Sequence, residues 1–493
     1  MSVDPRTPCV IGVAQRTWHL AGEEWSPEPL EMQAEVVTAA LADASASGDL
    51  AAAVDGLDAV HCMTWAYDDP AGRLAARAGL APTRLAYSGI GGTVPQQLLG
   101  AAAARMRRGE SEVEVVVGAE ALDTTRRMRR AGVTPEWSFA HPDPPPFPFE
   151  APFHPAELAH EVLQAWLTFA VRDIARRAAR GTSPESHRSE LGLLLAPFTE
   201  VAARNPHAWF PEVRTAQELI TATPGNRMVG YPYTKEMVAI MDVDMAAAVV
   251  LSTWEAAEQL GVPCERRVPL RSWAYATDPV YLAEHPDLSR SPSMSYVAST
   301  ALAAAGCGID DVAHLDLYSC FASSVDFARD ALGLVDGDRR LLTVTGGLPF
   351  AGGPASNYMT HAVCSMVERL RDDPGSVGLV SGVGMHMTKH AYAVYGGDPE
   401  DPVVAVDRLP PEVEAVPITD VHAGSATVAA YSVVHDRDGS ASWGLAVCDL
   451  ADGSRTYGRC EDADLLAAWE AEEWVGRAVE LETDGRVNRV RAG

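Results

Sequence analysis

The feature that most restricts this chain is an alternation of β-like and alanine-rich amphipathic runs that occurs twice, in the same order, on either side of a long interruption. In the first run Cys9 to Trp18, Leu57 to Trp65 and Val113 to Val117 read as strands, and Pro29 to Ala46 and Val94 to Arg107 carry helical spacing. The alternation resumes with Met245 to Gln259 and Arg267 to Thr277. Strands are then expected over Val312 to Tyr318, Leu341 to Thr345 and Val377 to Val383, and helices over Ser291 to Ala305, Phe321 to Leu332 and Ala355 to Arg371. Strands separated by helical stretches imply βαβ units and a largely parallel, covered sheet. The expected fold is α/β, built from two similar halves at 1–121 and 242–398.

The interruption opens at His141 to Pro155, where closely spaced prolines remove backbone donors and keep the residues before them out of helix. From Ala156 to about Asp242 helical pieces joined by polar loops follow, so this stretch reads as a long insertion, and an excursion of that length is more often functional than decorative. After Gly397 the composition turns acidic and proline-rich, which marks 399–416 as a linker. Beyond it, Ala423 to His435, Ser442 to Asp449 and Ala478 to Val490 have β patterns and Ala463 to Trp474 a helical one. Residues 417–493 are therefore expected to form a small, mainly β, barrel-like domain.

Composition narrows the partners. With 67 acidic against 39 basic residues the formal charge is −28, and a mainly acidic surface repels nucleic-acid phosphates and anionic lipid. No apolar run reaches the roughly 18 residues of a membrane span, and the start lacks a basic region followed by an apolar stretch. A cytoplasmic protein without nucleic-acid or membrane partners is expected. The eight cysteines are scattered with no C-x-x-C pair, which suggests neither a disulfide framework nor a zinc site. His386 and His390 have the i, i+4 spacing of two ligands on one helix face, but no third ligand accompanies them, so no metal is expected.

Three glycine-rich junctions carry the functional signal: Ser88 to Gln97, Gly346 to Pro354 and Val380 to Gly384. Together with Asp316-Leu317-Tyr318-Ser319-Cys320-Phe321 they resemble, in order and separation, the four active-site loops of the thiolase superfamily, especially its sterol-carrier-protein-type branch. The whole chain, through Gly-Gly-Thr-Val-Pro-Gln, Tyr-Pro-Tyr-Thr-Lys and Met-Thr-Lys-His-Ala, is similar to type 1 thiolase-like proteins with an additional carboxyl-terminal domain. The resemblance implies a duplicated thiolase fold whose inserted loop domain, 122–241 here, supplies much of the coenzyme A site. It also implies a monomer or homodimer, with a small β-domain protein as a further candidate partner.

The same resemblance shows what is missing. At the family's nucleophile loop stands Gly91-Gly92-Thr93, at the second cysteine's loop Val380 and Ser381, at the Gly-His-Pro histidine Leu348, and at the remaining motif histidine Tyr318. Thr93 lacks the adjacent base an alcohol needs, so cysteine-type acyl transfer is the least favoured activity. Amides near Gly92 and Gly384 remain available as an oxyanion hole, which needs no particular side chain. Tyr318 and Tyr358 match the tyrosine pair of steroid side-chain aldolases, which resemble thiolases and cleave a carbon–carbon bond by retro-aldol chemistry. His361 and His386 adjoin these loops, and Arg227 and Lys235 are candidate partners for coenzyme A phosphates. Two classes stay open: an acyl-CoA-binding protein with lyase chemistry, and a noncatalytic acyl-CoA-binding or regulatory protein. In both, coenzyme A or acyl-CoA is a ligand and nothing is bound covalently.

Overall fold

In the computed structural model, which describes residues 3–144, 153–399 and 412–491, the two halves meet edge to edge in a nine-stranded sheet. The chain lays down β1 (Pro8–Thr17), β2 (Gly56–Ala59), β3 (Arg84–Tyr87) and β4 (Val113–Ala121). It then enters the insertion, where β5 (Met228–Gly230) and β6 (Tyr233–Thr234) form a small hairpin, and returns as β7 (Asp244–Thr253). The second half supplies β8 (Val268–Thr277), β9 (Val312–Asp316), β10 (Val377–Gly384) and β11 (Lys389–Gly396).

The order is β3-β2-β4-β7-β1-β8-β11-β10-β9. Counted outward from the β1–β8 seam, β1, β7, β4 and β2 match β8, β11, β10 and β9 in both position and direction. The duplicated α/β fold is visible in the topology. It also explains the insertion: β10 turns into β11 through residues 385–388, whereas the equivalent β4–β7 connection is opened by residues 122–243.

Two expectations about this sheet are corrected. It is mixed, not largely parallel: only β3–β2, β2–β4 and β10–β9 run parallel, and the central strands pair antiparallel. Apolar runs report burial on both faces and carry no record of strand direction. Leu341 to Thr345 is not a strand, although it holds the place equivalent to β3. Its β-branched residues instead wrap a buried carboxylate: Asp316 Oδ2 accepts from Thr343 Oγ1 at 2.9 Å, Val344 N at 3.0 Å and Thr345 N at 3.2 Å.

The helix Val94–Arg108 shows how local signals place the first glycine loop. Pro95 sits in its first turn, where no intrahelical donor is needed, and Gly109 ends it in the left-handed region at φ 72°. Its inner face buries Leu99, Ala102, Ala103 and Met106, and complete burial of a large side chain stabilises by ~1.5–3 kcal/mol. Gly91-Gly92-Thr93 is therefore fixed at the helix entrance.

Beyond the linker, of which 400–411 lie outside the described residues, come β12 (Gly424–His435), β13 (Ala441–Asp449), β14 (Arg455–Cys460), β15 (Ala478–Thr483) and β16 (Asn488–Arg491). They pair in the order β13-β14-β16-β15-β12, and β12–β13 pairing closes the ring into a five-stranded barrel. The β5–β6 hairpin extends this sheet beyond β12, so the insertion and the barrel share backbone hydrogen bonds. Residues 145–152 of the proline-rich excursion also lie outside the described residues. Among the described residues no helix is long and apolar enough to cross a membrane.

Candidate functional site

The four loops expected to meet do meet. Tyr318 follows β9, and its hydroxyl faces Gly92 so closely that a Cβ on Gly92 would collide with both that oxygen and the Val383 carbonyl. A Cβ on Gly384 would lie 3.6 Å from Gly92 N and 3.4 Å from Thr93 Oγ1. The backbone of Tyr318 is held by Ser381 Oγ, which accepts its N–H at 2.9 Å. Tyr358 packs edge-on against Tyr318, with ring centroids 5.3 Å apart and planes at 85°.

The two phenols are not equivalent. Tyr358 donates to Asp316 Oδ1 at 3.0 Å and lies 2.7 Å from Thr345 Oγ1, so its hydroxyl belongs to the network around the buried carboxylate. The Tyr318 hydroxyl has no hydrogen-bond partner among the described residues, and neither has the Gly92 amide. Burial pushes both phenols well above their usual range, so at neutral pH they are proton donors and not bases. Burial likewise raises the Asp316 carboxyl, and pushes the Cys320 thiol up to about 12, far from a reactive thiolate.

A second feature lies beside this pair. A cleft of about 890 Å³ opens among segments of the insertion, the loop at 19–22 and Pro349-Phe350, and Arg227 and Lys235 both line it. Four further cations, Arg126, Arg127, Arg130 and Arg214, join them, against the carboxylates Asp123, Glu212, Glu236 and Asp242. Asp123 pairs with both Arg126 and Arg127, and Arg214 faces Glu236 at 3.7 Å. Exposed Arg130 and Lys235 have no ion-pair partner among the described residues. At one end the His19 and Trp209 rings lie 4.5 Å apart. The segment Val238–Ile240 separates cleft from tyrosines: Ala239 N donates to Cys320 O at 3.0 Å and Ile240 N to Leu348 O at 3.3 Å. Tyr318, Tyr358, Gly92 and Gly384 do not line the cleft.

No sequence-family model matches the chain, and no curated protein does. Among solved structures, a monomeric SCP2-thiolase-like protein type 1 from Mycobacterium smegmatis is 31% identical, with each chain covered over 100% of its length and a TM-score of 0.84. The chain belongs to the SCP2-thiolase-like type 1 family. More distant structures share the fold alone: an Ltp2-ChsH2(DUF35) aldolase (19% identity, 80% of this chain and 98% of that one, TM-score 0.62) and the dimeric peroxisomal thiolase of Saccharomyces cerevisiae (12%, 80% and 99%, 0.57).

Within this SCP2-thiolase-like chain His361, His386 and His390 do not line the cleft. His386 sits in the β10–β11 turn and His390 in β11, so the pair shares no helix face. His386 Nδ1 is 3.0 Å from Thr168 Oγ1, its ring lies against Phe153, and burial lowers its pKa to about 4. His390 is committed to Asp278 at 2.9 Å and Ser291 at 3.1 Å. His361 holds Gln15 Oε1 at 3.1 Å and borders a cavity of about 10 Å³ beside Tyr358, room for one water; burial, with His207 nearby, lowers its pKa to about 3. Among the described residues no cluster of three metal-ligating side chains occurs. Sequence reasoning missed the arginines of the helix Leu122–Ala131, yet Arg126-Arg127-Met128-Arg129-Arg130 in so acidic a chain was a signal of concentrated positive charge.

Proposed function

We propose that this chain binds coenzyme A or an acyl-CoA in the cationic cleft, with no acyl-enzyme intermediate. The observation that carries the reading is six cationic side chains on one cleft of a chain whose net charge is −28. Phosphate groups are the ligands such a site attracts, and the exposed His19 ring, packed against the buried Trp209, offers an aromatic face to a base. Membership of a thiolase-like family and the insertion's place on the cleft wall agree with this. Arg130, Arg227 and Lys235 would meet the phosphates, and the unpartnered Gly92 amide and Tyr318 hydroxyl would receive a thioester carbonyl if the acyl arm passes the Val238–Ile240 segment.

A second reading, carbon–carbon lyase chemistry, is favoured by one observation, the unpartnered Tyr318 hydroxyl. Its raised pKa suits a donor that stabilises or protonates an enolate, and not removal of the β-hydroxyl proton. Tyr358 is bound to Asp316, so the two tyrosines would not share the work equally. Calorimetric titration with coenzyme A and acetyl-CoA tests the first reading; a β-hydroxyacyl-CoA panel with mass detection of released aldehyde or ketone tests the second. Binding without release would leave a noncatalytic acyl-CoA-binding protein, and absence of binding at low salt would sink both. We further propose a monomer, on the full-length likeness to a protein described as monomeric. The exposed Leu85 and Tyr87 on edge strand β3 are the surface a homodimer would use, and light scattering distinguishes the two.

A further inference from the structure

The hairpin that carries two of the cleft's cations, Arg227 and Lys235, is held from two sides. At its base Lys235 N donates to Arg227 O at 2.9 Å, and Asn226 ties it to the insertion: its Nδ2 donates to Leu219 O at 3.0 Å and its Oδ1 accepts from Glu236 N at 2.9 Å. At its tip the partner is the barrel. Tyr231 N donates to Val433 O at 2.8 Å, Ser432 Oγ donates to Tyr231 O at 2.8 Å, and Gly230 pairs with Val434. A Cβ on Gly230 would strike the Trp166 ring, so the hairpin is pressed between barrel and helix Ala165–Ala179.

Arg177 closes this junction. It is fully buried on that helix and reaches three groups around the tip: Tyr231 Oη at 2.9 Å, Tyr431 Oη at 2.7 Å and Glu473 Oε2 at 3.0 Å. Tyr431 and Glu473 belong to the barrel region, and Tyr431 in turn donates to Glu472 O at 2.9 Å. A hairpin of three and two residues has no stability of its own, so its conformation is set by what it docks against. Binding that needs cations in fixed places is strengthened when the protein orders them before the ligand arrives.

We propose that the carboxyl-terminal barrel is a working part of the cleft, with Arg177 a positioning residue that fixes the hairpin bearing Arg227 and Lys235 for the ligand's phosphates. This rests on the reading of the cleft as a coenzyme A site. The test uses the full chain with Arg177→Met and, in case that variant does not fold, Glu473→Gln, which leaves both tyrosine hydroxyls facing the guanidinium. Amide hydrogen exchange is followed at 228–235 and in β1 and β7 as controls, and coenzyme A affinity is measured alone and in combination with Lys235→Ala or Arg130→Ala. The expected result is faster exchange at 228–235 with unchanged controls, and affinity lower on the order of tenfold for Arg177→Met. Arg177→Met and Lys235→Ala should then be non-additive, whereas Arg177→Met and Arg130→Ala, which lies on the helix Leu122–Ala131 and not on the hairpin, should add. Unchanged exchange at 228–235 in a folded variant, or additivity with Lys235→Ala, overturns the proposal. Failure of the wild type to take up coenzyme A would sink the reading of the cleft and the positioning role with it, while exchange still reports whether Arg177 holds the hairpin.

Discussion

The cleft and the tyrosine pocket lie on either side of one short segment, Val238–Ile240, and are built on opposite principles. The cleft is open, and charged Arg130 and Lys235 on its wall remain unpaired among the described residues. The pocket is closed: Asp316 is fully buried and encircled by donors, Tyr358 is bound to it, and the Tyr318 hydroxyl has no hydrogen-bond partner among the described residues. The difference teaches that loop geometry and loop chemistry are separable. In this thiolase-like chain the polar side chains around Asp316 are devoted to holding the loop backbone, while unpaired positive charge gathers on the neighbouring cleft.

The largest effect expected from breaking this contrast is on stability, at Asp316. Replacing it with Ala orphans the donors of Thr343, Val344, Thr345 and Tyr358, and unpaired buried donors cost about 1–3 kcal/mol each. Asp316→Ala should lower the melting temperature by well over 10 °C or prevent folding; a stable variant would show that the network does not hold the loops. Next comes the cleft. Arg227→Glu with Lys235→Glu should weaken coenzyme A on the order of a hundredfold, equivalent to ~2.7 kcal/mol, with melting nearly unchanged. Equal affinity in both proteins, or an affinity insensitive to salt, would remove the cleft as the phosphate site.

Smaller changes sharpen the pair itself. Tyr358→Phe deletes a donor to a buried carboxylate and should cost about 1–3 kcal/mol in chemical denaturation. Tyr318→Phe deletes a hydroxyl without a partner and should be nearly neutral for stability, while any lyase turnover falls on the order of a hundredfold or more. Reversed behaviour of the two variants would break the assignment of one phenol to structure and the other to ligand. pH gives a further check. His386 and His361 are held neutral by burial, with pKa values near 4 and 3. Below about pH 6.5 the unfolded chain binds protons that the folded one refuses, so stability falls as pH drops from there toward 4. His386→Gln should flatten that decline by a few degrees in melting temperature between pH 7 and pH 4.5.

Much of this was legible before any coordinates. Hydrophobic runs located most strands and helices of both halves, since a core-facing pattern must match its element's period. The glycine loops were found in order, and Arg227 and Lys235 do share a surface. The errors have a common cause. Leu341 to Thr345 looks like a strand because threonine and valine suit one, yet its hydroxyls and amides were claimed by Asp316. The sheet went wrong in the same way: it was expected to be largely parallel because apolar runs carry no record of which strand lies beside them or in which direction.

What the sequence determined by itself was the order of elements, the doubling of the α/β unit, the presence of an insertion and a β-rich end, and a first glycine loop without cysteine. These follow from local periodicity and residue identity, which are properties of short windows. Tertiary structure alone decided strand direction, the division of labour between Tyr318 and Tyr358, the gathering of Arg126, Arg130, Arg214, Arg227 and Lys235 on one cleft, and the docking of the 228–234 hairpin onto the barrel. Each of these depends on contacts between residues tens to hundreds of positions apart. A hydrogen bond or a shared cavity is a fact about distance in space, and no window of sequence contains it.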